Sequence, residues 1–187
     1  MKKAICLALC CLLMIVCVGC GGPKKVSLDG VRGQKWGTSK DQVLVSEGMP
    51  SDEGATSSGI EYIVYKNVKG FDLDYDFRLM YMFEEDELYI VTYTLSGLNP
   101  LSYIDAYNAV VDAITKEYGV PKSNEERWDA SQKDDYADNK GEALKLGYLS
   151  YRADYSLDGT DISISLHIPE RARRSGEVFL EIMYARR

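Results

Sequence analysis

Beyond residue 20 the sequence contains no cysteine: Cys6, Cys10, Cys11, Cys17 and Cys20 are all five that it has. The long remainder therefore has no disulfide framework, no zinc-cysteine site and no cysteine nucleophile. Histidine occurs once, at His167. By strand parity it falls with Ser163 and Ser165, opposite Ile162, Ile164, Leu166 and Ile168. Residues two apart on one strand supply neither a nucleophile elbow nor an oxyanion loop, so no serine triad is expected. A glycine-rich phosphate loop is also missing, since Gly37-Thr38-Ser39-Lys40 lacks the preceding glycine at P-loop spacing. With 29 acidic residues, some carboxylate pair reaches glycosidase spacing by chance, and such a pair carries little information.

The start of the chain holds an address. Lys2 and Lys3 precede an uncharged apolar run from Ala4 to Val18, and small residues gather around Cys20. That is the layout of a secretory signal, and the run is short for a stop-transfer helix. Val18-Gly19-Cys20, followed by Gly21-Gly22, resembles the lipobox of bacterial lipoproteins, with Cys17 where that pattern favours Leu. The resemblance implies a signal peptide over 1–19 and a new N-terminus at Cys20. Cys20 then carries a thioether-linked diacylglycerol and, in many bacteria, an amide-linked third chain such as palmitate. Two or more chains make a stable membrane anchor where one does not. It also implies a place on the extracytoplasmic side, in the outer membrane where the envelope has two, because Gly21 rather than aspartate follows the cysteine. Residues 20–33 then read as a lipidated tether, Gly-, Lys- and Pro-containing without hydrophobic periodicity. Removing Lys2 and Lys3 from 22 basic residues, against 29 acidic ones, leaves a net charge of −9. Such a field disfavours nucleic acid as a partner.

Residues 34–187 read as one α+β domain. Ser39 with Gln42 forms a capping-box pattern, Val43 and Leu44 offer a short apolar face, and Gly48 and Pro50 stop the helix. Small residues from Ala55 to Gly59 predict a loop, and strands follow. Among them Phe71, Leu73, Tyr75, Phe77, Leu79, Tyr81 and Phe83 alternate with Asp72, Asp74 and Asp76. This aspartate spacing matches the start of a calcium loop, but Phe77 and Phe83 hold the places of its glycine and its bidentate glutamate. On a strand those carboxylates stand about 7 Å apart on one wet face. A returning strand carries Tyr89, Val91, Tyr93 and Leu95. Pro100 to Gly119 then predicts a long helix, with Tyr103, Tyr107, Val110, Val111, Ile114 and Tyr118 on one side. The polar segment 129–142 reads as a loop or a frayed helical turn. Asp158-Gly159 predicts a hairpin, and Val178, Leu180, Ile182 and Tyr184 alternate in a last strand.

The two halves, 34–97 and 98–187, share an order: a helix ending in Gly-x-Pro, then a meander of about three strands. The expectation is a helix-plus-antiparallel-meander unit occurring twice, packed as one long or two abutting antiparallel sheets with helices on one face. Trp36-Gly37-Thr38-Ser39 and the two Gly-x-Pro endings resemble a group of bacterial lipoproteins with a Trp-Gly-x-Ser start. The order of elements is similar to the β-lactamase-inhibitory-protein-like fold, shared by a secreted inhibitor and a small lipoprotein of the outer-membrane assembly machine.

That resemblance implies a non-catalytic protein-binding or envelope scaffold module, with the membrane and a protein as partners. The alternative is a solute- or glycan-binding lipoprotein using Tyr and Trp side chains, and a hydrolase comes third. No catalytic residue, metal ligand or cofactor is expected. Of the fourteen tyrosines, Tyr148, Tyr151 and Tyr155 do not all share a parity, which places at least one on an outer surface. Arg171, Arg173 and Arg174 form a basic loop that reads as a hydrophilic hairpin tip or as an electrostatic contact with an acidic partner or headgroups.

Overall fold

The computed structural model describes residues 27–169, 172 and 175–187. The expected signal segment, Cys20, Arg171, Arg173 and Arg174 lie outside them. Strands β1 (Gly30–Val31) and β2 (Gln34–Lys35) form a small hairpin. Helix α1 (Lys40–Glu47) begins where the Ser39–Gln42 spacing predicts, with both capping-box hydrogen bonds formed and Gly48 at φ 85° ending it. Replacing Ser39 with alanine is expected to cost about 1 kcal/mol, a fall of about 3 °C in a calorimetric melt.

Strands β3 (Asp52–Ala55), β4 (Glu61–Gly70), β5 (Leu73–Glu84) and β6 (Glu87–Leu95) follow. Helix α2 (Pro100–Tyr118) has Asn99 as its cap, Pro100 in its first turn and Gly119 past its end. After it come β7 (Ser123–Trp128), α3 (Lys133–Tyr136), α4 (Lys140–Lys145), β8 (Leu149–Ser156), β9 (Thr160–His167) and β10 (Phe179–Arg186). Among the described residues, no helix is long and apolar enough to cross a membrane.

From β3 to β10 the strands make one antiparallel sheet in the order β3-β4-β5-β6-β10-β9-β8-β7. It is a single long sheet rather than two abutting ones. At its centre β6 meets β10, with Tyr93 opposite Ile182 and Val91 opposite Tyr184. The two strands that the sequence pattern does not announce, β3 and β7, are the edges. Asp-Glu-Gly-Ala and Ser-Asn-Glu-Glu-Arg-Trp lack apolar alternation because an edge strand packs and pairs on one side only. Within 129–142, the polar segment resolves into most of α3 and α4, and Asn139 caps the latter through Glu142 N–H.

Period-two alternation divides the sheet into two faces. One carries Ile63, Phe77, Leu79, Tyr81, Val91, Tyr93, Ile164, Leu166, Leu180 and Ile182, all buried. Onto it α2 lays Tyr103, Ala106, Tyr107, Val110, Val111 and Ile114. Each fully buried large apolar side chain contributes roughly 1.5–3 kcal/mol.

Two local readings change. The expected tether is folded from Ser27 onward: Leu28 N–H donates to the Asp158 carbonyl at 3.1 Å, and Trp36 N–H to that of Asp29 at 2.9 Å. The Trp36 indole N–H donates to Thr160 Oγ1 at 2.7 Å, and the Thr160 hydroxyl donates in turn to the Leu28 carbonyl. Backbone pairing of this kind has no hydrophobic period to read. The long alternating strand also starts later than its pattern. Phe71 and Asp72, at φ 62° and 54°, form the two-residue turn between paired Gly70 and Leu73. Asp74 and Asp76 do stand exposed on the strand, and Lys69 Nζ pairs with both, at 2.8 and 3.1 Å.

Candidate functional site

The face of the sheet turned away from α2 has a chemistry of its own. An antiparallel sheet commonly leaves one face in water, and that face is then polar. Here cross-strand register lines up apolar side chains instead. Val64 on β4 lies beside Met80 on β5, then Thr92 on β6, Met183 on β10 and Ser163 on β9. A second row runs Tyr62, Met82, Ile90, Ala185 and Asp161 across the same strands. In a third, Arg78, Thr94, Glu181, Ser165 and Arg152 follow one another.

The face is therefore apolar toward β4, β5 and β6 and polar toward β8 and β9. Between the Tyr62 and Arg152 sides lies a shallow depression of about 570 Å³, to which six neighbouring strands contribute. Thr92 and Thr94 at its floor are each 9% exposed, while Met183 stands 38% exposed. Methionine is unbranched and polarizable, so a patch built from it adapts to the shape of what it meets. Exposed apolar area of this kind, rimmed by polar groups, is characteristic of interaction sites.

The polar side is held in place by its own contacts. Arg152 Nε donates to Asp154 Oδ2 at 2.8 Å and Nη2 to Oδ1 at 2.9 Å. Those hydrogen bonds hold the Asp154 carboxyl below the ordinary carboxylate range against a smaller upward push from burial. His167 stands with its Nε2 3.7 Å from Glu181 Oε2, and its buried Nδ1 has no hydrogen-bond partner among the described residues.

No family model, curated protein or solved structure matches this chain. The site therefore rests on geometry. Among the described residues no group of three or more His, Cys, Asp and Glu side chains is placed to hold a metal ion.

His167 falls with Ser163 and Ser165 on the open face, as strand parity predicts. The three tyrosines do not form an outer surface. Tyr151 and Tyr155 are 8% and 3% exposed, on the face covered by α2. Tyr151 packs on Tyr107 with ring centroids 5.3 Å apart, and the Tyr155 hydroxyl bonds with Thr115 Oγ1 at 2.9 Å. Burial pushes the hydroxyl pKa of both up. Tyr148 precedes β8 and stacks on Tyr136 at 5.2 Å. Tyr148 lies before the strand, where parity does not act, and parity alone does not say which face α2 covers. The residues that do shape the open face, Met80, Met82, Ile90 and Met183, were passed over. Their signal was present: in "DYDFRLMYMF" the even positions change from aspartate to methionine without a break in alternation.

Proposed function

We propose that the chain is a lipid-anchored, extracytoplasmic binding module whose uncovered sheet face docks a protein partner without catalysis. The observation that carries this reading is the partly exposed apolar patch on that face, Tyr62-Met82-Ile90 with Met80 and Met183 beside it, where a solvated strand face would be polar. The anchor rests on Cys20 and the pattern around it. A duplicated origin agrees with the order of elements: each principal helix precedes four strands, and the last strand of each half pairs antiparallel at the centre. The strand order β3-β4-β5-β6-β10-β9-β8-β7 is the order two such units would give when joined through their last strands.

The test places a photo-crosslinking amino acid at Met183 or Met80, on the open face, and at Val120, which is 84% exposed past the end of α2. In cells, a discrete adduct is expected from positions 183 and 80 and not from 120. Met183→Glu, made in the Met80 crosslinking variant, is expected to weaken adduct formation about tenfold or more, because a carboxylate is desolvated in the contact. Equal adducts from all three positions, or none from the open face, would sink the reading. The anchor is checked separately: Cys20→Ser should lose membrane fractionation and leave the fold intact.

A further inference from the structure

On the opposite side of the sheet, between the β1–β2 hairpin, the turn after β4 and the last turns of α2, lies a cleft of about 810 Å³. This volume falls in the range of small-molecule sites, roughly 300–1,000 Å³. Its wall is aromatic: Phe71, Tyr93, Tyr118 and Tyr184 line it. Phe71 and Tyr93 stand with ring centroids 5.0 Å apart, and Tyr93 and Tyr184 6.3 Å apart, each pair edge-to-face. In such pairs the positive edge of one ring meets the negative face of the next, so nearly buried Tyr93 and Tyr184 form the floor of the cleft while half-buried Phe71 and Tyr118 reach into it.

Phe71 occupies its place at a conformational expense. It sits at φ 62°, and a bulky residue in the left-handed region is a rare outlier where glycine or asparagine is the usual choice. Its ring also packs on Phe77 at 5.4 Å. Gly70 before it leaves the approach open, since a Cβ there would stand 3.3 Å from the Tyr93 ring.

The charges at the cleft lean one way. Arg32 is already engaged, with Nε and Nη2 donating to the two Glu47 carboxylate oxygens at 3.1 and 3.2 Å. Among the described residues, that leaves the carboxylates of Asp72, Asp112 and Glu117 against the ammonium of Lys116. Burial, and after it the neighbouring Glu117 carboxylate, push the Tyr118 hydroxyl pKa up. Aromatic faces together with excess carboxylate suit a positively charged organic group, whose attraction to a ring face is worth about 0.5–2 kcal/mol.

We propose that this cleft binds a small organic cation of the alkylammonium class, its charged head over the Phe71 and Tyr118 side and its body along Tyr93 and Tyr184. The site is independent of the partner face, from which the whole sheet separates it.

The probe is choline, titrated by calorimetry and by aromatic ring-proton NMR shifts into the full-length protein in a non-ionic detergent. Its uncharged carbon isostere, 3,3-dimethylbutan-1-ol, and glucose are run in parallel. Saturable choline binding is expected, about tenfold or more tighter than the isostere and weakened by added salt. Asp72→Asn, which keeps a side chain tolerant of positive φ, and the exposed Asp112→Asn should each weaken it several-fold with no change in melting temperature. Phe71→Gly, which removes the ring and relieves the backbone, should weaken it about tenfold. Equal binding of the isostere, preferential binding of glucose, or no saturation by choline up to about 10 mM would overturn the assignment.

Discussion

Replacing Glu47 with alanine is expected to lower the melting temperature by about 8 °C at neutral pH, with part of that loss disappearing as the pH falls below the ordinary carboxylate range. Glu47 is the last residue of α1, where the helix dipole disfavours a carboxylate. Tertiary partners reverse that preference. Arg32, from the β1–β2 turn, forks onto both oxygens at 3.1 and 3.2 Å, and the hydroxyl of Tyr81, on the covered face of β5, donates at 2.5 Å. The carboxylate side chain is 13% exposed and the guanidinium 33%.

Truncating one member of a fully buried pair costs about 3–5 kcal/mol. With Arg32 a third open to solvent, about 2–3 kcal/mol is expected, and the Tyr81 hydroxyl is left unpaired in the core. Burial alone pushes the Glu47 carboxyl up, but the hydrogen bonds from Arg32 and Tyr81 outweigh it and hold the group below its ordinary value. A carboxyl lowered in the folded state stabilises at pH above its unfolded value. That contribution is lost as pH falls through the folded value. The gap between wild type and Glu47→Ala should therefore be full at pH 7 and narrow in acid. Melts of wild type, Glu47→Ala and Tyr81→Phe from pH 7 to pH 3 measure it. A gap independent of pH would show that packing, not the charge, holds α1 to the sheet.

What could be read from the chain follows the range of the interactions. Ser39 with Gln42, and Pro100 with Gly119, act within one or two turns, and both helices lie where those residues put them. The Asp158-Gly159 turn and the alternation of β5, β6, β9 and β10 are equally local. Edge strands β3 and β7 escaped because their partners supply hydrogen bonds rather than an apolar face. The open face escaped for a different reason. Met80, Thr92 and Met183 become one row only through strand pairings that join residue 92 to residue 183, and no local pattern encodes that register. Tyr151 and Tyr155 illustrate the complement. Their shared parity was legible, but the side on which α2 packs depends on where its own stripe of Tyr107, Val110 and Ile114 finds the sheet. Arg32 carries no local signal of structure because its partner, Glu47, lies across a turn and a helix.

Thr160→Val is expected to cost about 2–4 kcal/mol, a loss of about 10 °C, although valine matches threonine in shape. Thr160 is fully buried at the start of β9. Its hydroxyl accepts from the Trp36 indole at 2.7 Å while donating to the Leu28 carbonyl, so one oxygen satisfies two groups of the N-terminal segment. A methyl in its place leaves both unpaired, and each buried orphan costs about 1–3 kcal/mol. The loss should be local before it is global, because residues 28–36 are joined to the hairpin after β8 mainly through this oxygen and the Leu28 to Asp158 bond. In a Trp128→Phe background, which leaves Trp36 as the remaining tryptophan, Thr160→Val should shift the emission to longer wavelength and expose Arg32 to trypsin. Thr160→Ser keeps the oxygen and should retain most of the stability. If Thr160→Val melted within about 1 °C of wild type, with Trp36 emission unchanged, the hydrogen-bonded seam would not be what fixes this segment. Under the proposed anchoring, the same seam decides where the domain hangs from its lipid: the chain leaves the fold beside the Asp158-Gly159 hairpin, at one end of the strands.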